Sequence, residues 1–109
     1  MATLIPAVGA PRFVEPANGG AFTLAELQAF VGGYIELLRV PLALLDPPTG
    51  PLVLFCNEDG KRLRLPINRF ATSLMRPVLQ PDDVLVGDVI LCTPGEAGEG
   101  EEADDPDRP

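Results

Sequence analysis

Hydrophobic and polar positions divide the chain into short segments with two different periods. Residues 3–8 and 12–15 are extended, apolar-rich runs separated by Gly9, Ala10 and Pro11, a spacing that predicts a hairpin. Asn18, Gly19 and Gly20 then break the chain. Thr23, Leu24, Ala25 and Glu26 form a capping box, in which the Thr hydroxyl accepts from the backbone of Glu26 and the carboxylate reaches back. Phe22 and Leu27 stand at the two positions of a hydrophobic staple. Leu24, Leu27, Phe30 and Val31 share one helical face, and Gly32-Gly33 supplies the stop. Residues 34–40 alternate as a strand, residues 41–51 are Pro-rich and predicted to be irregular, and residues 52–56 are a continuous apolar run. Such a run marks a strand buried on both faces. After the turn composition of Asn57, Glu58, Asp59 and Gly60, the alternation Arg62, Leu63, Arg64, Leu65 predicts a returning hairpin strand over residues 61–65. Ile67, Phe70, Ala71 and Leu74 fall at i, i+3, i+4 and i+7, the apolar stripe of a second helix that Pro77 ends. Residues 84–92 close the pattern as a strand bent at Gly87-Asp88. The expected fold is α+β: a single small domain with a mainly antiparallel sheet and two short helices, in ββαβββαβ order.

Composition changes this picture at one end. The chain has 109 residues, room for one domain. Its formal net charge is −8, but residues 96–109 hold seven acids against Arg108 alone, while residues 1–95 hold nine acids and seven bases. The division follows: residues 1–95 form the folded domain and 96–109 a disordered acidic tail without a large apolar residue. No apolar run approaches the ~20 residues that cross a bilayer, and the first residues do not read as a signal peptide, so a cytoplasmic protein with no membrane partner is expected. Cys56 and Cys92 sit in apolar runs and read as buried thiols acting as small hydrophobes, the alternative being a disulfide or a nucleophile.

The chemistry is bounded first by what is missing. There is no histidine, one serine and one lysine, so a Ser-His or Cys-His pair cannot be assembled and the usual neutral-pH base is absent. Neither a phosphate-binding Gly-rich loop nor zinc-ligand spacing is present, and no cofactor is expected. The pairs Glu58-Asp59 and Asp82-Asp83 would suit Mg²⁺ or a shared proton, and with Asp88 a minimal hydrolase. Each pair also flanks a turn residue, Gly60 or Pro81, where acids occur for local reasons. A non-enzymatic protein is the expectation. Between Gly60 and Pro81 there are five cations, Lys61, Arg62, Arg64, Arg69 and Arg76, and no acid. On the second helix Arg69, Thr72, Ser73 and Arg76 share a face opposite the apolar stripe, and Asn68 lies at the helix start. Guanidinium and hydroxyl groups so placed suit phosphate or carboxylate. A solvated face beside a strand edge is the competing reading. With one Tyr, no Trp and a repelling tail, long nucleic acid is disfavoured.

Four segments in order resemble the DUF3846 family: Gly32-Gly33-Tyr34-Ile35-Glu36, Cys56-Asn57-Glu58-Asp59-Gly60-Lys61, Leu65-Pro66-Ile67-Asn68-Arg69 and Val86-Gly87-Asp88. The match spans residues 3–92 and excludes the tail. The resemblance implies a small protein of phages, plasmids and other mobile elements, which in a phage setting works in the host cytoplasm. Proteins of that kind without catalytic residues act by binding. The expectation is sequestration of a small phosphorylated or nucleotide-like immune signal, by Tyr34, Asn57, Lys61, Arg64, Asn68, Arg69, Thr72 and Arg76. Lys61 and Arg69 would pair its charge, Asn57 and Asn68 would hydrogen-bond, and Tyr34 would stack on a base. The alternative is a protein–protein interaction module that inhibits a host protein. A homo-oligomer is expected, because so small a domain forms deep pockets more readily between subunits. Asn57 and Asn68 also have a purely structural reading, as a turn residue and a helix cap.

Overall fold

The computed structural model describes residues 2–40 and 52–98. Strands β1 (Ala2–Ile5), β2 (Arg12–Val14), β3 (Ile35–Val40), β4 (Leu52–Asn57) and β5 (Val89–Cys92) form one antiparallel sheet in the order β2-β1-β5-β4-β3. The apolar run in β4 is buried on both sides, because β4 lies inside the sheet and a helix covers each face. Its odd residues Val53 and Phe55 pack with Leu27 and Phe22, on the side of helix α1 (Leu24–Val31). Its even residues Leu54 and Cys56 pack with Ala71 and Met75 of helix α2 (Arg69–Met75). The period-two alternation of one strand thus divides two cores. The α+β class and the antiparallel sheet with two helices are as expected.

Helix α1 forms where its capping box requires. Thr23 Oγ1 accepts from Glu26 N at 3.1 Å, and Glu26 Oε1 accepts from Thr23 N at 2.8 Å. The Glu26 carboxylate also accepts from Ala17 N, and these backbone bonds to Thr23 and Ala17 hold its pKa below the ordinary value. Phe22 meets Phe30 edge to face, with centroids 5.7 Å apart. Gly32 ends the helix at φ 81°, its N–H donating to Gln28 O. Replacing Thr23 by Ala is expected to lower stability by about 1 kcal/mol, read from the shift in a urea midpoint at unchanged slope; no shift would show that the box is idle.

Three segments depart from the pattern-based expectation. Residues 61–65 do not form a returning strand; they wind through local turns, with Leu63 N donating to Asp59 O, Arg64 N to Lys61 O and Leu65 N to Gly60 O. Arg64 takes the left-handed conformation, φ 57°. The element order is therefore ββαββαβ, with a 3₁₀ turn, Arg76–Val78, after α2. Alternation of Leu63 and Leu65 mimicked a strand, yet only Leu65 turns inward. Second, residues 84–88 stay outside the regular ladder except for one bridge, Ile67 to Val86, with Gly87 at φ 78° making the bend.

Third, α2 is rotated from the phase its apolar stripe predicts. Its inner face is Asn68, Ala71, Thr72 and Met75, whereas Ile67 and Phe70 stand in solvent. The cause is the incomplete ladder at 84–88, whose backbone groups need partners that an apolar face cannot supply. Asn68 N donates to Leu85 O, Leu85 N donates to Thr72 Oγ1 at 2.9 Å, and Thr72 Oγ1 donates back to Leu85 O.

The expected division at 95/96 also falls inside packed structure. Phe22 N donates to Glu96 O at 2.7 Å, and Ala97 packs on the α1-side core. The predicted irregular segment 41–51 and residues 99–109 of the predicted tail lie outside the described residues.

Candidate functional site

The four segments that carry the family resemblance meet around the loop of residues 58–66. Asn57 is buried; its Nδ2 donates to Val31 O at 3.0 Å, and its Oδ1 accepts from Asp59 N at 2.7 Å. That side chain lies so close to Gly33 that a Cβ there would stand 2.9 Å from Asn57 Nδ2. Asn68 is 1% exposed. Its Nδ2 donates to both Ile5 O and Gly87 O at 2.9 Å, and its Oδ1 caps α2 by accepting from Ala71 N at 3.0 Å. A Cβ at Gly60 or Gly87 would stand 2.7 Å from Val86 Cγ2 or Leu65 Cδ1, so those side chains would have to shift to admit it. Both Asn residues and Thr72, expected to meet a ligand, are thus spent on the protein's own backbone.

The expected cations do not converge. Lys61 is ion-paired with Asp83, and Arg62 with Asp59 at 3.4 Å. Arg76 NH1 donates to Gln80 O and Pro81 O, tying down the chain after α2. Arg64 and Arg69 are exposed, as is Tyr34, which borders a small depression beside Gly33, Asn57 and Leu63. Lys61 and Asn57 line a different cleft of about 230 Å³. That cleft carries four carboxylates, Glu36, Glu58, Asp59 and Asp83, against Lys61 and Arg62. The Asp83 carboxyl sits below its ordinary pKa because Lys61 hydrogen-bonds it. An excess of carboxylate, each cation already paired, gives this cleft no preference for an anion. Among the described residues no group of three or more His, Cys, Asp or Glu could hold a metal ion.

Cys56 lines the same cleft, its Sγ 4.0 Å from Glu36 Oε1, directly across the β3–β4 pair. Burial, reinforced by the Glu36 charge, pushes its thiol up to about 11. Cys92 is also buried and not part of a disulfide. Both thiols should therefore resist Ellman's reagent at pH 8 in the native protein and react together once guanidinium unfolds it; rapid native reaction of Cys56 would contradict the burial. An unfolded thiol loses its proton near 9 while the native one holds it to about 11, so the Cys56 contribution to stability declines as pH rises through that interval.

The outer side of α2 is one surface open to a partner. Phe70 is 59% exposed, Ile67 50% and Val78 54%, with Leu74 half-buried between them. Arg69, Phe70, Ser73 and Leu74 bound an open, mostly apolar depression of about 520 Å³. Of the expected apolar stripe Ile67, Phe70, Ala71 and Leu74, Ala71 is buried and Leu74 packs against the core, while Ile67 and Phe70 face outward. The signal for its true direction lay in a second set at the same spacing: Asn68, Ala71, Thr72 and Met75. Those residues are small or hydrogen-bonding, apart from Met75, and suit a face laid against unpaired backbone.

No helix among the described residues is long and apolar enough to cross a membrane. No curated protein and no solved structure matches the chain. One family model matches residues 2–107, nearly the whole length, and its description is a domain of unknown function. The four segments gathered around the 58–66 loop lie within that match, and the chain belongs to the DUF3846 family.

Proposed function

We propose that the protein is a non-enzymatic binding module that works by covering a surface of another protein, with the outer side of α2 as its contact. The observation that carries this reading is Phe70, a large apolar side chain more than half exposed, which bounds an open apolar depression with Arg69, Ser73 and Leu74 on the outer side of α2. Single exposed apolar residues are ordinary on protein surfaces, whereas an apolar depression walled by a large exposed side chain suits insertion of a partner's side chain. Burying a side chain such as Phe70 is worth roughly 1.5–3 kcal/mol, and a few such anchors dominate a protein interface. The mobile-element setting implied by the family resemblance fits a host protein as the target. Sequestration of a small anion has less support, since it needs Lys61, Arg69 and Arg76 around one concavity.

Site-specific photocrosslinking tests the reading. A benzoylphenylalanine at position 70 should give a discrete heterologous adduct in cells, competed by the unlabelled protein but not by its Phe70→Asp variant. The same group at position 8, where Val8 is exposed in the β1–β2 connection, should give none. Equal labelling from both positions, or no adduct from position 70, would overturn it.

A further inference from the structure

Resting on the reading of α2 as a protein contact, we infer that its partner is an acidic amphipathic helix, whose apolar residues fill the Phe70–Leu74 depression and whose carboxylates meet Arg69. Three observations select that chemistry. Residues 60–81 contain five cations and no acid, and two of the five, Lys61 and Arg62, are already paired with Asp83 and Asp59. Arg76 is tied to Gln80 O and Pro81 O, with its charge acting on Asp83; among the described residues Arg64 and Arg69 make no ion pair, and Arg69 forms part of the rim of the apolar depression. A guanidinium beside an apolar hollow accepts a carboxylate in two-pronged geometry while the hollow takes an aliphatic or aromatic side chain. The spacing of the apolar residues also fits. Ile67, Phe70, Leu74 and Val78 recur at intervals of three and four residues through α2 and its flanks, the spacing that a helix lying alongside meets by its i, i+3 and i+7 positions. A second copy of the chain is a poorer occupant, because packing α2 on α2 would bring two Arg69 charges and no acid of residues 60–81 into one interface.

Two designed peptides of about 18 residues, long enough to form a helix on binding, test the inference against the full chain. Both carry leucines at i, i+3, i+4 and i+7; one has Glu on the flanks and the other Lys. The Glu peptide should bind at least tenfold tighter at low salt, weaken as salt is raised, and shift the amide signals of residues 67–78. Arg69→Glu should erase or invert the preference, and Phe70→Asp should abolish binding of both. Equal binding of the two peptides at α2 would overturn the acidic partner and leave the α2 contact standing. Failure of both peptides to perturb α2, together with no crosslink from position 70, would remove both. Concentration-dependent dimerisation that buries α2, or α2 shifts produced by phosphatidylserine vesicles and not by the Glu peptide, would also overturn it.

Discussion

Replacing Asn68 by Ala is expected to lower stability by about 3–5 kcal/mol, a large share of the 5–15 kcal/mol typical of a domain. One carboxamide, 1% exposed, holds three backbone groups from three segments: Ile5 O at the end of β1, Gly87 O in the bend before β5, and Ala71 N in the first turn of α2. The substitution leaves all three without that partner in a place where water cannot replace it, and a buried unsatisfied group costs roughly 1–3 kcal/mol. Asn68→Asp separates this from simple helix capping. The carboxylate keeps the bond to Ala71 N but faces two carbonyl oxygens, so it should cost at least as much as Ala. Denaturant unfolding of both variants is the check. A capping role alone would leave Asp near wild type and make Ala cost about 1 kcal/mol, and that pattern would contradict the junction described here.

Gly87→Ala is expected to cost about 2–4 kcal/mol. Part is conformational, since Gly87 sits at φ 78°, a region that costs an L-residue roughly 1–2 kcal/mol. The rest is steric: an added Cβ would lie 2.7 Å from Leu65 Cδ1, and overpacking of that kind costs about 1–3 kcal/mol. Backbone retreat is hindered, because Gly87 N donates to Pro66 O at 2.7 Å and Gly87 O is held by Asn68. Leu65→Ala in the same chain removes the steric part, so the double variant should be more stable than the sum of the two single losses implies. Strict additivity, or a neutral Gly87→Ala, would show that the loop and the bend are not packed as described.

Much of the architecture was legible because local and global preferences agree. Thr23 and Glu26 cap α1, the apolar run of β4 is buried on both faces, and the β1–β2 hairpin follows its turn residues. Legibility failed where hydrogen bonding overrode hydrophobic period. At residues 61–65 an alternating pattern lost to local turns anchored on Gly60 and Asp59. On α2 an apolar stripe lost to Asn68 and Thr72, because the backbone of residues 84–88 needed polar partners from the helix. The same exchange governed the candidate site. Cations clustered in sequence suggested a shared anion, but Asp59 and Asp83 already answer two of them, and that pairing depends on how the 58–66 loop winds. Of the eight residues expected to bind a ligand, Arg69 is the one that borders the exposed apolar surface of α2.

The direction in which α2 faces decides the whole account, and paired substitutions read it directly. Phe70→Asp and Met75→Asp change residues in the same helix, one 59% exposed and the other 1%. In urea unfolding Phe70→Asp should stay within about 1 kcal/mol of wild type, as surface changes do, with some help from an acid in the first helical turn. Met75→Asp, which buries an unpaired carboxylate in the core, should lose at least about 4 kcal/mol or fail to fold. A Phe70→Asp loss as large as that of Met75→Asp would place Phe70 in the core and contradict both the orientation of α2 and the binding surface built on it.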